Sequence, residues 1–218
     1  MGGTFRAPVS DAVFARRAYL DLWGVTPTFE QLQAAKGMDR GKLIDTLLAD
    51  REMFAGHWIS FWNDLLRNDQ RAYHGDSAKP YTPWLKKALV SNMPYDEMVR
   101  LMLAADELRP DDLSQLRATG YLARNYFLFN RNQWMDETVE HVSKGFLGLT
   151  MNCAKCHDHK FDPVTMRDYY ALAGVFASTQ VADRSLLPSP LAEQVTAARK
   201  KLDALEENLK KQKDKQSE

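Results

Sequence analysis

The chain has two cysteines in 218 residues, and they stand as Cys153-Ala154-Lys155-Cys156-His157. A thiol pair separated by two residues, with a histidine directly after, is the attachment pattern of c-type haem. The spacing follows from the chemistry. Two thiols three positions apart reach the two vinyl groups on one edge of a porphyrin and form thioethers. The adjacent imidazole is then held beneath the iron as its proximal ligand. Three other chemistries use part of the pattern. A dithiol redox pair has no use for His157 and belongs in a βαβ setting. A zinc site can draw on Cys153, Cys156, His159 and the distant His141, although the second pair is not at zinc-finger spacing. A structural disulfide would close so short a loop for little entropic gain. Covalent haem is the cofactor that uses the whole motif, and zinc is the alternative.

The neighbouring residues constrain the other side of the iron. His159 follows the proximal histidine too closely to reach the opposite face of the ring. It is expected to hydrogen-bond with Asp158 or Asp162 and to support His157 from behind. Met166 follows too soon for the chain to round the ring. The sixth position is therefore filled from upstream, filled by another domain, or open. The upstream candidates are His141, His57, His74 and Met135, and His141 is carried forward as the distal ligand.

Helices must position these residues, because no period-two alternation is sustained anywhere in the sequence. Ser10 or Asp11 caps a first helix that Gly24 stops. Thr28 and Gln31 form a capping box, and Asp39 caps a helix striped by Leu43, Ile44, Leu47 and Leu48. A longer helix is expected over 52–67, with Phe54, Trp58, Phe61, Trp62, Leu65 and Leu66 on one face. Residues 68–82 read as the longest loop. Pro83 then opens a helix. Pro94 and Asp96 start the next one, in which Met98, Val99, Met102 and Leu103 face inward. Arg109 to Asp112 is a turn, followed by one or two short helices. Asn132 caps a helix that delivers the chain into the cysteine motif. Thr165 and Asp168 box the one that leaves it, which carries Tyr169, Tyr170, Ala173, Val175 and Phe176.

The fold class expected is all-α: a multi-helix globular domain followed by a charged, coiled-coil-like helix. Residues 1–9 read as a tail or expression remnant, 10–186 as the helical domain, and 187–218 as a linker and the start of the coiled coil. In that last part Leu191, Val195, Ala198, Leu202, Leu205 and Leu209 alternate spacings of four and three, an a/d seam that invites a coiled-coil partner. Hydrophobic residues make up 44% of the chain, an ordinary globular share. The 29 basic and 29 acidic side chains cancel, which argues against nucleic acid as a partner. No apolar run approaches the length of a membrane span.

Several separate motifs resemble the planctomycete-type cytochrome c-like domain, a domain of unknown function. They are Phe14 to Thr28, Trp58-x-x-x-Trp62-x-Asp64-Leu65-x-Arg67, Asn92 to Asp96, Phe146 to Thr150 running into Cys153 through Pro163, and Arg167 to Leu172. The resemblance spans about residues 8–180. It implies a large exported bacterial protein in which this domain precedes a coiled coil and a second conserved domain. It also implies haem held by Cys153, Cys156 and His157, without supplying a reaction. Phe61 departs from the pattern, standing where the family is expected to carry a histidine, and His141 stands where Thr or Val is expected.

Haem c is attached outside the bacterial inner membrane, yet Met1 to Arg6 has no apolar segment of a signal peptide. The chain is therefore expected to be an excerpt of a periplasmic or otherwise exported protein, and a fragment made without export would lack its haem. Three functions follow. The first is electron transfer with a redox partner domain or protein, alongside the C-terminal part of the same full-length protein. The second is a haem-dependent oxidoreductase with an open iron site near the 68–82 loop. The third is a structural zinc-binding or interaction module.

Overall fold

A computed structural model describes residues 8–68, 75–123, 130–180, 182 and 189–216. The all-α class is what it shows, with no strand among the described residues. The chain divides into two compact units that part after Thr179.

The first three helices are set by their ends. α1 (Asp11–Trp23) stops at Gly24, whose φ of 72° is left-handed and whose N–H donates to the Leu20 carbonyl. A Cβ at Gly24 would stand 2.2 Å from His57 Nδ1, so only glycine serves both the conformation and the approach. α2 (Phe29–Ala35) has its capping box: the Thr28 N–H donates to Gln31 Oε1 at 2.8 Å, and the Gln31 N–H to Thr28 Oγ1 at 3.3 Å. Asp39 caps α3 (Arg40–Ala49) by accepting the Lys42 N–H at 3.0 Å. These helices share a small core of Ala15, Ala18, Tyr19, Ala35, Leu43 and Leu47.

α4 (Arg51–Leu65) corrects one expectation. Its aromatic residues do not share a buried face. The 3.6-residue period turns Ile59, Trp62 and Leu66 toward the main core, buries Ala55, leaves Phe54 and Trp58 half-buried, and puts Phe61 50% in solvent. α5 (Gly75–Val90) corrects another, because residues 75–82 are helical and Pro83 lies inside the helix, as does Pro80. An interior proline removes a backbone donor and disfavours this. Burial of Tyr81, Trp84, Leu85 and Ala88, at helical spacing, outweighs it. Residues 69–74, with His74 among them, lie outside the described residues.

α6 (Tyr95–Leu108) follows Pro94 and buries Met98, Leu101, Met102 and Ala105. α7 (Leu113–Leu116), a 3₁₀ turn at Arg117–Thr119 and α8 (Gly120–Ala123) complete this side. α9 (Arg131–Val142) is capped by Asn130 rather than Asn132, since Asn130 Oδ1 accepts the Gln133 N–H at 3.0 Å. α10 (Met166–Ala177) carries the expected Thr165–Asp168 box. It buries Tyr169, Ala173 and Phe176 and exposes Tyr170 and Val175. The main core gathers residues from α4 through α10, with Tyr81, Leu85, Met102 and Trp134 at its wholly buried centre.

The second unit holds α11 (Ser189–Gln216). Leu191, Leu202, Leu205 and Leu209 of its seam are 46–67% exposed. The linker positions 187 and 188 fall outside the described residues.

Candidate functional site

The motif is approached through a change of helical winding. After Val142, α9 widens into a π turn over Ser143–Leu147, in which Ser143 Oγ donates to the Val139 carbonyl. Gly148, at φ 66°, reverses the chain and closes the turn, with its N–H and that of Leu149 on the Ser143 carbonyl. π turns inside helices are frequent at functional sites.

A 3₁₀ turn then runs over Asn152–Lys155, with the Ala154 N–H on the Met151 carbonyl at 2.9 Å. At three residues per turn, positions i and i+3 eclipse. Met151 and Ala154 therefore share the inward face and are 5% and 0% exposed. Cys153 and Cys156 share the outward face, both exposed and both free thiols. The C-x-x-C spacing thus presents two thiols on one face while Ala154 between them plugs the core.

His157 is exposed, and its Nδ1 stands 2.8 Å from the Asp158 carbonyl oxygen. That contact places the ring proton on Nδ1 and leaves the Nε2 lone pair for a ligand. The Asp158 carboxylate faces the other way, accepting the Met166 N–H at the start of α10 at 2.8 Å. His159 is turned inward, its side chain 8% exposed. Its Nδ1 accepts the N–H groups of Asp162 at 2.9 Å and Phe161 at 3.3 Å. A nitrogen that accepts two N–H groups carries no proton. The Asp162 carboxylate, although 3.3 Å away, is therefore not its ion-pair partner. His159 organises the loop after the motif through the Asp162 backbone.

Lys155, the second residue between the cysteines, is fastened twice. Its ammonium pairs with Asp136 of α9, and its carbonyl accepts the Tyr170 hydroxyl of α10 at 3.2 Å. Tyr169 donates its hydroxyl to Asp136 Oδ1 at 2.7 Å, joining α10 to the same carboxylate. Burial works against a charged Asp136, but the hydrogen bonds from Lys155 and Tyr169 outweigh it and hold the carboxyl below its usual range. Burial, reinforced by the bond to Asp136, pushes the Tyr169 hydroxyl up. The bond to Asp136 likewise raises Lys155. Sequence reasoning missed this joint, since no short-range pattern links positions 136, 155 and 169.

Of the distal candidates, His74 lies outside the described residues, and the contacts described for His141 and His57 are with residues outside the motif. About 100° per residue puts position 141 about 140° around α9 from the Asp136 that contacts it. His141 is half-buried, and its charged neighbours are Arg67 from the end of α4 together with Glu140, Glu137 and Lys144 on its own side. Burial, then Arg67, pushes its imidazole down. His57 is wedged beneath Gly24 and lies edge-on to Trp58. Met135 packs against the main core. Among the described residues, no group of three or more His, Cys, Asp or Glu side chains is placed to hold a metal ion, so the zinc reading finds no ligand set there. The surface cleft lined by Leu108–Ser114 contains no motif residue.

The residues present fit a c-type haem on three counts. The thiols are free and lie on one face. His157 Nε2 is available while Nδ1 is engaged by a carbonyl, the arrangement usual for metal-bound histidine. Apolar side chains flank the motif in the chain and stay exposed: Phe161 at 83%, Tyr170 at 54% and Met166 at 43%.

Among protein families, the one described as PSCyt2, protein of unknown function (DUF1549), matches residues 2–181. No curated protein and no solved structure matches the chain. No helix among the described residues is long and apolar enough to cross a membrane.

Proposed function

The chain belongs to the PSCyt2 family of proteins of unknown function, and on that premise we propose that its helical domain carries a covalent c-type haem and serves in electron transfer. The observation that carries this reading is the outward pair of free thiols at Cys153 and Cys156, directly followed by a histidine whose Nε2 is left open. Cys153 and Cys156 would hold the group by thioethers, and His157 Nε2 would bind its iron. When bound, the group supplies one-electron exchange.

The rest of the work belongs to the chain itself. The Asp158 carbonyl fixes the orientation and tautomer of His157. His159 folds the following loop onto its own Nδ1. Exposure of the motif favours exchange with a partner that docks against it, a redox protein or another domain of the same full-length protein. Attachment of this kind takes place outside the bacterial inner membrane, so the reading carries an exported location with it.

The test is an absorption spectrum of protein matured in an exporting, haem-attaching host, recorded oxidised, reduced and with carbon monoxide. Electron transfer predicts a Soret band, a c-type reduced spectrum and no change with carbon monoxide. A spectrum that shifts with carbon monoxide shows an open iron and favours an oxidoreductase. Absence of a Soret band, with stoichiometric zinc, overturns the haem reading.

A further inference from the structure

We propose that Asp136 is a positioning residue for the C-x-x-C segment, and that its pairing with Lys155 sets the electrostatics beside the attached ring. The second half rests on the haem reading; the first does not. Cys153 and Cys156 are exposed, so burial cannot hold them in place. What fixes the turn is Ala154 beneath it and Lys155 within it. Lys155 is tied to α9 through Asp136 and to α10 through the Tyr170 hydroxyl, and Tyr169 holds Asp136 from α10 as well. The attachment segment is thereby ordered before anything is attached to it, which lowers the conformational cost of joining a rigid ring at two points.

The charges follow from the connectivity. Lys155 lies between the two thioether residues, so its ammonium and the Asp136 carboxylate sit beside whatever those residues carry. Together they nearly cancel. Removing the carboxylate leaves a net positive charge that favours the reduced, less positive iron. Removing the ammonium leaves a net negative charge that favours the oxidised form.

Two variants separate these claims. Asp136→Asn keeps an oxygen for the Tyr169 hydroxyl and replaces the charged oxygen that accepts from Lys155 with an uncharged amide nitrogen. Lys155→Gln alters a side chain that is 46% exposed and so spares the core, which covers the case in which Asp136→Asn does not fold. In haem-free protein, both variants are expected to speed amide exchange at Ala154 and Cys156 about two- to fivefold, the scale of a partly exposed ion pair. Unchanged exchange overturns the positioning role. In haem-loaded protein, the midpoint potential is expected to rise in Asp136→Asn and fall in Lys155→Gln. Structural loosening alone would move both the same way, so shifts of one sign, or none, overturn the electrostatic role. If the unaltered chain takes up no haem at all, the haem reading and the electrostatic role fall together, and exchange still decides the positioning role.

Discussion

The aromatic side of α4 and the segment from Asn152 to Tyr170 are both partly open to solvent, and they are held in different ways. On α4 the rings hold one another. Phe54, Trp58, Phe61 and Trp62 follow at centroid distances of 5.5–5.9 Å, and Tyr95 continues the series at 6.3 Å from Trp62. Trp58 Nε1 is buried there without a hydrogen-bond partner. In the motif segment directional bonds do the holding, through Lys155, Asp158, His159, Thr165 and both tyrosines, while the two thiols stay exposed. Apolar contacts are non-directional and tolerate small shifts. Exposed reactive groups gain nothing from burial, so their placement depends on directional bonds to the helices around them. The contrast lies in how each is held: ring against ring on α4, directional bonds to α9 and α10 in the motif segment.

That contrast can be broken most severely from beneath. Trp134 of α9 is 0% exposed, and Trp134→Ala is expected to cost about 3–5 kcal/mol, read as a lower denaturation midpoint. A loss under about 1 kcal/mol would show that α9 is not the motif's scaffold. Removing one strut has a smaller effect. Tyr169→Phe deletes the bond to Asp136 and should cost about 0.5–1.5 kcal/mol in denaturant unfolding. An unchanged midpoint would mean that the hydroxyl contributes nothing to the joint.

His141 offers a test by pH. Its imidazole is pushed down in the folded chain, first by burial and then by Arg67, against the opposing pull of Glu140 and Glu137. A depressed value means that the stability it contributes is present above the unfolded value of 6.5 and lost as pH falls through the folded one. His141→Gln should therefore flatten the decline in stability measured from about pH 7 downward, and an unaltered slope would contradict the placement. The smallest effect belongs to the ring face. Phe61 is 50% exposed, so Phe61→Ala should change stability by about 1 kcal/mol or less and leave haem loading untouched. Lost loading would tie the α4 face to the site.

What the sequence made legible was local. The Thr28–Gln31 and Thr165–Asp168 boxes and the Asp39 cap are written in three or four residues, and each is present. The outward cysteines and inward Ala154 were not read from the sequence, because they depend on the 3₁₀ winding of Asn152–Lys155. The helix through Pro80 and Pro83 was not legible, because breaker residues spoke against it and only burial of Tyr81, Trp84 and Leu85 decides for it. In α10 the buried face was not legible either: residues 169–177 are uncharged all round, so hydropathy alone does not tell Tyr169 from Tyr170. The joint at Asp136 links positions 19 and 33 apart in the chain, beyond any local pattern.

The central claim is that Cys153, Cys156 and His157 hold a covalent haem, and intact mass tests it most directly. Protein matured in an exporting, haem-attaching host should carry the mass of one haem through denaturation and acid-acetone extraction, located on the peptide containing both cysteines. Cys153→Ala/Cys156→Ala should carry none, with its unfolding midpoint equal to that of the unaltered chain made without haem, because both thiols are exposed. A wild-type chain at its unmodified mass after the same maturation would contradict the account.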